Sequence, residues 1–265
     1  MKNTKDEFLK FALKIAEQAG KKILKGFREK ISSERKALKE IGSVYDKISD
    51  NFIIGEIKKN YPEHSYLTEE SDPFNNGSDY LWIIDPLDGT SNFVNGNPFW
   101  AVSVALWMKG EPYLGVIEAP VLQERFVALR GQGAWVEDSL GKRKYSAKVS
   151  EVNSLSQAYM LYCPGGAMER NDTYALLEKY YRQVKDMRKL GSAALELAWV
   201  GTGRADVYLT PQIHLWDIAA GVLFVKESGG EVADFEGKIW DFGKMMKADK
   251  INLRAFNNHL SLWRK

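Results

Sequence analysis

A chain of 265 residues, 45% hydrophobic and 27% charged, can bury a sizeable core, and this composition excludes a disordered or fibrous class. The formal net charge of +2 argues against nucleic acid or a membrane surface as the dominant partner. The single cysteine, Cys163, excludes an intrachain disulfide and fits a reducing compartment.

The N-terminal stretch alternates charged and apolar residues and lacks the continuous apolar core of a signal peptide. No segment approaches the ~20 apolar residues that span a bilayer, so a cytoplasmic location is expected. Thr4 and Glu7 fit a capping box. Phe8, Phe11, Ala12, Ile15, Ala16, Ala19, Ile23 and Phe27 then recur at helical spacing, which predicts a long amphipathic helix to about Phe27. The basic stretch from Arg28 to Glu40 is expected to be a loop or a weak hairpin. A second helix is expected from about Asp46 to Asn60, with Ile48, Phe52, Ile53 and Ile57 inward, stopped by Tyr61-Pro62.

Strand signals follow. "SYLTEES" is short and ends in acids, and "YLWIID" is apolar throughout, as suits a buried strand. "WAVSVALWMKG", "EPYLGVIEAP" and "ERFVALRGQGAWVED", separated by turn residues, predict an antiparallel meander. Polar residues from Tyr145 to Asn153 mark a hinge between an N-terminal half of about 1–145 and a C-terminal half of about 146–265, within one domain over 1–265.

The second half alternates strands and helices. "AYMLYCP", "VKDMRKLG", "ADVYLTP" and "EVADFEG" are expected strands. Asn171 to Tyr181, "SAALELAWVGTG" and "WDIAAGVLFVKESGG" are expected helices, and "LRAFNNHLSLWRK" a last one. The pattern predicts α/β layering. Cys163, ending an apolar run, is expected to be a buried structural thiol rather than a nucleophile.

Carboxylates stand at several of these element ends: Glu69 and Glu70 after "YLT", Asp85 and Asp88 after "LWII", Asp217 at the start of "WDIAAG", and Asp46 before the second helix. Singly, each fits a cap, a turn or a solvated loop. Together they ask for a counter-charge. Asp85 is extended because Pro86 follows, and a tight turn is expected to bring Asp88 back beside it. Two carboxylates ~4 Å apart repel by about 4 kcal/mol at an effective dielectric of 20. No Arg or Lys lies within the motif, and oxygen-only donors favour Mg²⁺ over zinc. Gly89-Thr90-Ser91-Asn92 offers a backbone nest which, if it opens a helix, accepts a phosphate. Metal-binding acids beside a phosphate cradle point to two-metal phosphoryl chemistry. There is no Walker nucleotide loop and no GxGxxG. His64, His214 and His259 are scattered. His214 is near enough to Asp217 to line the site, although a packed or solvated histidine is the commoner case.

"WIIDPLDGTSNF" and "LWDIAAGVLFVKESGG" resemble the two signatures of the inositol monophosphatase family, a superfamily that also includes fructose-1,6-bisphosphatase. "LTEES", "SVYDKISDNFIIGEIKKNYPEHS" and "RKLGSAALELAWVGTGRADVYL" resemble its other segments, in order over nearly the whole chain. The resemblance implies a layered α-β-α-β-α sandwich, a homodimer, and Mg²⁺-dependent hydrolysis of a small phosphorylated substrate. It makes Glu69, Asp85 and the Leu87 carbonyl ligands of one Mg²⁺, and Asp85, Asp88 and Asp217 ligands of a second. A third, weaker ion would lie near Glu69. It has Asp46 and Thr90 activate water, Gly89 and Thr90 cradle phosphate, and Gly191, Ser192 and Ala193 line the sugar side. Asp88 and Asp217 would also face substrate.

The chain departs from the family pattern in places. Thr68 replaces the glycine that usually opens the acidic motif. Thr210 stands where inositol-preferring animal enzymes carry a glutamate that binds substrate hydroxyls. Trp216 is absent from the second signature of the archaeal fructose bisphosphatase branch. Which of Arg35, Lys36 and Lys39 faces the site is left open. The expected activity is hydrolysis of inositol 1-phosphate and related phosphates. The alternatives are a histidinol-phosphate, fructose-1,6-bisphosphate or 3′-phosphoadenosine phosphatase, and, in a different class, a non-catalytic interaction protein that keeps the fold.

Overall fold

A computed structural model describes residues 4–29, 35–138, 143–163 and 177–260. Helices α1 (Thr4–Glu29) and α2 (Arg35–Asn60) lead into a seven-stranded sheet. Its strands are β1 (Ser65–Thr68), β2 (Tyr80–Asp88), β3 (Ala101–Met108), β4 (Glu111–Ala119), β5 (Glu124–Leu129), β6 (Gly133–Asp138) and β7 (Lys144–Ser146). They lie in sequence order, with β1 and β2 parallel and every later pair antiparallel. The short helix α3 (Thr90–Val94) follows β2 directly.

The second sheet holds β8 (Tyr159–Tyr162), β9 (Asp186–Arg188), β10 (Val207–Ile213), β11 (Gly230–Ala233) and β12 (Ile251–Asn257), in the order β11-β12-β10-β8-β9. Helices α4 (Ala193–Gly201), α5 (Leu215–Glu227) and the single turn α6 (Phe242–Met245) complete the described elements, with helical residues at 177–181.

Successive strand residues point to opposite faces, and both faces of the large sheet are covered. Trp82, Ile84, Val102, Val104 and Leu106 pack with α1 and α2 in one core. Ile83, Ala101, Ala105 and Trp107 pack with α4 and α5 in another. A third core on the far side of the small sheet joins Met160, Val207, Leu209 and Phe256 to Leu177. The result is five layers, α-β-α-β-α. Burial on both faces explains why β2 to β4 read as apolar runs rather than alternating ones. At Gly115 a Cβ would lie 2.8 Å from the Ala220 carbonyl oxygen, so the glycine lets α5 approach the sheet backbone.

Three expectations from the sequence need correction. Residues 35–40 are helical, not loop: Arg, Lys, Ala, Leu, Lys and Glu are all strong helix formers, and their charge hid the helix. Ile48 points outward, at 41% exposure, because the inward stripe of α2 carries Asp46, Ser49 and Asp50 before Ile53 and Ile57. The C-terminal "LRAFN" is not helix but the end of β12, held between β10 and β11. Ile251, Leu253 and Ala255 had shown the period of two. The Thr4 side chain, part of the expected helix at 171–181, and the side chains of Arg35, Lys36 and Lys39 lie outside the described residues. Among the described residues no helix is long and apolar enough to cross a membrane.

Candidate active site

Parallel pairing of β1 and β2 sets the site. Thr68 is in register with Ile84, so Glu69 and Asp85 leave the same edge of the sheet side by side. Asp217 arrives from the middle layer in the first turn of α5, where its Oδ2 accepts the His214 backbone N–H at 3.0 Å. Carboxylate oxygens of Glu69, Asp85 and Asp217 all lie within 4.8 Å of one another.

Asp88 is not in this trio. The chain does not turn between Asp85 and Asp88 as the sequence suggested: β2 continues to Asp88 through a register irregularity against β3. Leu87 is buried there, and its N–H donates to Asp85 Oδ1 at 3.0 Å. Asp88 points instead at the start of α4. It accepts the Ser192 hydroxyl at 2.5 Å and the N–H groups of Ala193 and Ala194 at 3.1 and 2.8 Å. A carboxylate at a helix N-terminus is favoured by the unpaired N–H groups there. Ser192, expected along the sugar side, therefore spends its side chain on Asp88.

Asp46 comes from the outer layer, on α2. Thr90 Oγ1 lies 3.2 Å from Asp46 Oδ1 and 3.0 Å from the Leu87 carbonyl, and its one proton can serve only one acceptor at a time. Asp46, Leu87 and Thr90, far apart or unremarkable in sequence, thus form one local network. Gly89 caps α3 with a φ of 93°, in the left-handed region. A Cβ there would sit 3.0 Å from the Phe99 carbonyl and 3.2 Å from that of Gly191, so only glycine fits the turn without strain.

A cleft of about 550 Å³ opens beside Asp88 and Asp217. Asp88, Gly191, Ala193, Thr210, His214 and Asp217 line it. Thr210 is buried in its wall, where β10 loses register with β12 and Gln212 takes a φ of 51°. His214 both lines the cleft and stacks on Trp216, with ring centroids 4.4 Å apart. Cys163 is half-buried and also lines the cleft, rather than lying inside the core as expected.

Two further residues hold the loops together and were not foreseen. The Asn92 amide donates to the carbonyls of Phe99 (2.6 Å), Leu190 (2.8 Å) and Gly191 (3.2 Å), tying the turn after β2 to the Gly191 loop. Glu196, buried in α4, accepts the N–H groups of Leu190 at 2.8 Å and Gly191 at 3.3 Å. Asn92 gave no signal because two of its three partners are 98 and 99 residues away. Glu196 did give one, as an acid inside the apolar run "AALELAW".

Burial raises the pKa of all four acids, and neighbouring carboxylates add to the rise at Glu69, Asp85 and Asp217. Burial and then Asp88 and Glu69 push Asp217 to about 8. Removal from bulk water and the charges of Glu70 and Asp88 push Glu69, at the site's rim, to about 7. Burial lifts Asp88 to about 6 against the pull of Ser192 and the α4 N–H groups. Asp85 is raised by burial and then by Glu69, Asp88 and Asp217. Among the described residues none of the four pairs with a lysine or arginine. Clustered, oxygen-only, mutually repelling donors fit a hard divalent cation.

A pH dependence follows. Each acid has a folded pKa above its unfolded value, so its contribution to stability is fully present below about pH 4 and is lost as pH rises through about 6 to 8. A bound cation requires the deprotonated forms. The rise in melting temperature on adding Mg²⁺ to metal-free protein is therefore expected to grow from pH 5.5 to pH 8. Thermal scans with EDTA or Mg²⁺ check this, and a shift that is flat or shrinks would contradict it.

The profile of the inositol monophosphatase family matches residues 4–260, and the chain belongs to that family. A Thermotoga maritima protein named fructose-1,6-bisphosphatase/inositol-1-monophosphatase is 39% identical over 232 residues, spanning 87% of this chain and 86% of that one. A Pasteurella multocida protein named Nus factor SuhB is 37% identical over 236 residues, spanning 86% and 85%. Among solved structures, the inositol monophosphatase of Anabaena (Nostoc) sp. PCC 7120 superposes with a TM-score of 0.78 at 30% identity, covering 98% of this chain and 93% of that one.

Proposed function

We propose that this chain is a Mg²⁺-dependent phosphatase acting on inositol 1-phosphate and related small polyol and sugar phosphates. The observation that carries the proposal is the trio of Glu69, Asp85 and Asp217, without a counter-ion among the described residues, beside the Gly89 nest and the cleft. Glu69, Asp85, the Leu87 carbonyl, Asp88 and Asp217 would hold the metal. Bound Mg²⁺ would supply charge neutralisation for the phosphate and a more acidic water.

The chain's own groups have separable tasks. Gly89 and the first-turn N–H groups of α3, which lack intrahelical acceptors, receive phosphate oxygens. Thr90 Oγ1 accepts a proton from the attacking water as it passes its own to Asp46, along the contact already in place. The cleft wall from Gly191 to Ala193 and at Thr210 receives the alcohol part. Family membership and the Thermotoga maritima relative support phosphatase chemistry. The relatives named Nus factor make an interaction role the second reading.

Thr210 bears on substrate choice. It offers one short hydroxyl in place of a carboxylate, and a site that pairs few substrate hydroxyls discriminates weakly. Inositol 1-phosphate and glycerol 2-phosphate are expected to differ by less than about tenfold in kcat/KM, about 1.4 kcal/mol. Thr210→Glu should shift the ratio towards inositol phosphate. The test is kcat/KM for both forms over a panel that adds histidinol phosphate, fructose 1,6-bisphosphate and adenosine 3′,5′-bisphosphate. A wild-type preference for inositol 1-phosphate above about a hundredfold would contradict the role given to Thr210, and an inert wild type across the panel would favour the interaction role.

A further inference from the structure

One turn beyond Asp46 on the same face of α2, Asp50 is 1% exposed. Its two oxygens accept two hydroxyls, Thr68 Oγ1 on Oδ1 and Ser71 Oγ on Oδ2. Thr68 is the last residue of β1, and Ser71 follows Glu69 and Glu70. The carboxylate therefore brackets both acids of the loop. The base of the same loop is closed by Tyr66 and Phe74, which exchange backbone hydrogen bonds of 2.9 and 3.0 Å.

We propose that Asp50 is a positioning residue that fixes the Glu69 loop against the helix carrying Asp46, and so sets the geometry of the acidic trio. The inference rests on the Mg²⁺-dependent reading above. Helix α2 then acts as a ruler. At Asp46 it meets Thr90 and the turn after β2, and at Asp50 it meets the loop after β1. Hydrogen bonds to a charged acceptor are shorter and stronger than neutral ones, and two of them from residues three apart leave the intervening backbone little freedom. Thr68, which replaces the family's glycine, is thereby part of the site's support, because glycine has no hydroxyl to offer.

A purely structural role is the competing explanation. Burying a carboxylate is costly, and an apolar side chain stabilises such a position better. The same stripe of α2 carries Ile53 and Ile57 one and two turns on. No ion pair offsets the Asp50 charge among the described residues. A buried acid at this place, with both oxygens held by the Glu69 loop, points to a geometric role.

The test uses the full chain and Mg²⁺ alone. Asp50→Asn, Thr68→Val and Ser71→Ala are titrated with Mg²⁺ by calorimetry, with melting in EDTA and KM for glycerol 2-phosphate at saturating Mg²⁺ measured in parallel. Groups that orient metal ligands from behind typically change metal affinity by about 10- to 100-fold. Asp50→Asn is expected to weaken Mg²⁺ binding about tenfold or more, and Ser71→Ala by a smaller factor in the same direction. KM at saturating Mg²⁺ should stay within about twofold of wild type. Ser71→Ala removes a single oxygen from a partly buried loop, so it reports on the clamp even if Asp50→Asn fails to fold. Variants that bind Mg²⁺ as tightly as wild type, whatever their melting temperature, would overturn the clamp alone. A wild type that binds no Mg²⁺ would overturn the clamp and the functional reading together.

Discussion

Asp85→Asn is expected to lower kcat/KM for small phosphate monoesters by at least about three orders of magnitude, about 4 kcal/mol of transition-state stabilisation. It is also expected to raise the melting temperature in EDTA at pH 8. The two effects have one cause. Asp85 is 1% exposed and stands among Glu69, Asp88 and Asp217, whose charges add to its burial in disfavouring its ionised form. An amide of the same shape keeps the acceptor that Leu87 N–H uses while removing the charge. The metal-free protein is thereby relieved of repulsion, and the metal-bound protein loses a central ligand. Stabilisation by added Mg²⁺ should shrink with the activity, because ligand binding stabilises only as far as it binds. Kinetics and thermal scans on the one variant check both signs. A variant that loses activity and melts lower in EDTA would show that Asp85 serves the fold rather than a cation site.

Thr90→Ala is expected to slow turnover by about 10²- to 10⁴-fold, the usual range for a positioned proton-transfer group. KM should change little, because alanine keeps the backbone N–H at position 90, and Mg²⁺ affinity should change by much less than turnover, because Thr90 touches Asp46 and the Leu87 carbonyl but none of the acidic trio. The stability loss should be small, since Thr90 is only half-buried in a short helix. Thr90→Ser keeps the hydroxyl and should recover most of the rate. Single-turnover kinetics separate this loss in chemistry from product release. An alanine variant within about threefold of wild-type kcat would remove Thr90 from the proton path.

More of the candidate site than of the scaffold that holds it was legible in the sequence. Acids at strand ends, followed by a glycine that only a special turn needs, are local signals, so Glu69, Asp85 and Asp217, which the structure brings together, could be singled out, whereas Asp88 was expected beside Asp85 and points at α4 instead. Apart from Glu196, an acid inside an apolar run, their supports could not, because hydrogen-bond partners far along the chain leave no periodicity. Asn92 reaches the Gly191 loop, and Asp50 reaches Thr68 and Ser71 from another layer. The misplacement of Ile48 belongs to the same cause. Helical periodicity marks an inward stripe only where that stripe is apolar, and on α2 it begins with the buried polar residues Asp46, Ser49 and Asp50. Local rules fail there because polar groups occupy core positions, as they do at functional sites. The β12 error is different in kind. Leu, Arg and Ala in "LRAFN" favour helix, and pairing on both sides with β10 and β11 overrides that propensity.

On the proposed reading, the clustered carboxylates bind a divalent cation for phosphate ester hydrolysis. The most direct measurement is phosphate release from inositol 1-phosphate and glycerol 2-phosphate by protein stripped with EDTA, then titrated with Mg²⁺. The expected result is no release above background in EDTA and a saturable recovery as Mg²⁺ is added. Release at full rate in EDTA, or none from any phosphate monoester at saturating Mg²⁺, would contradict it.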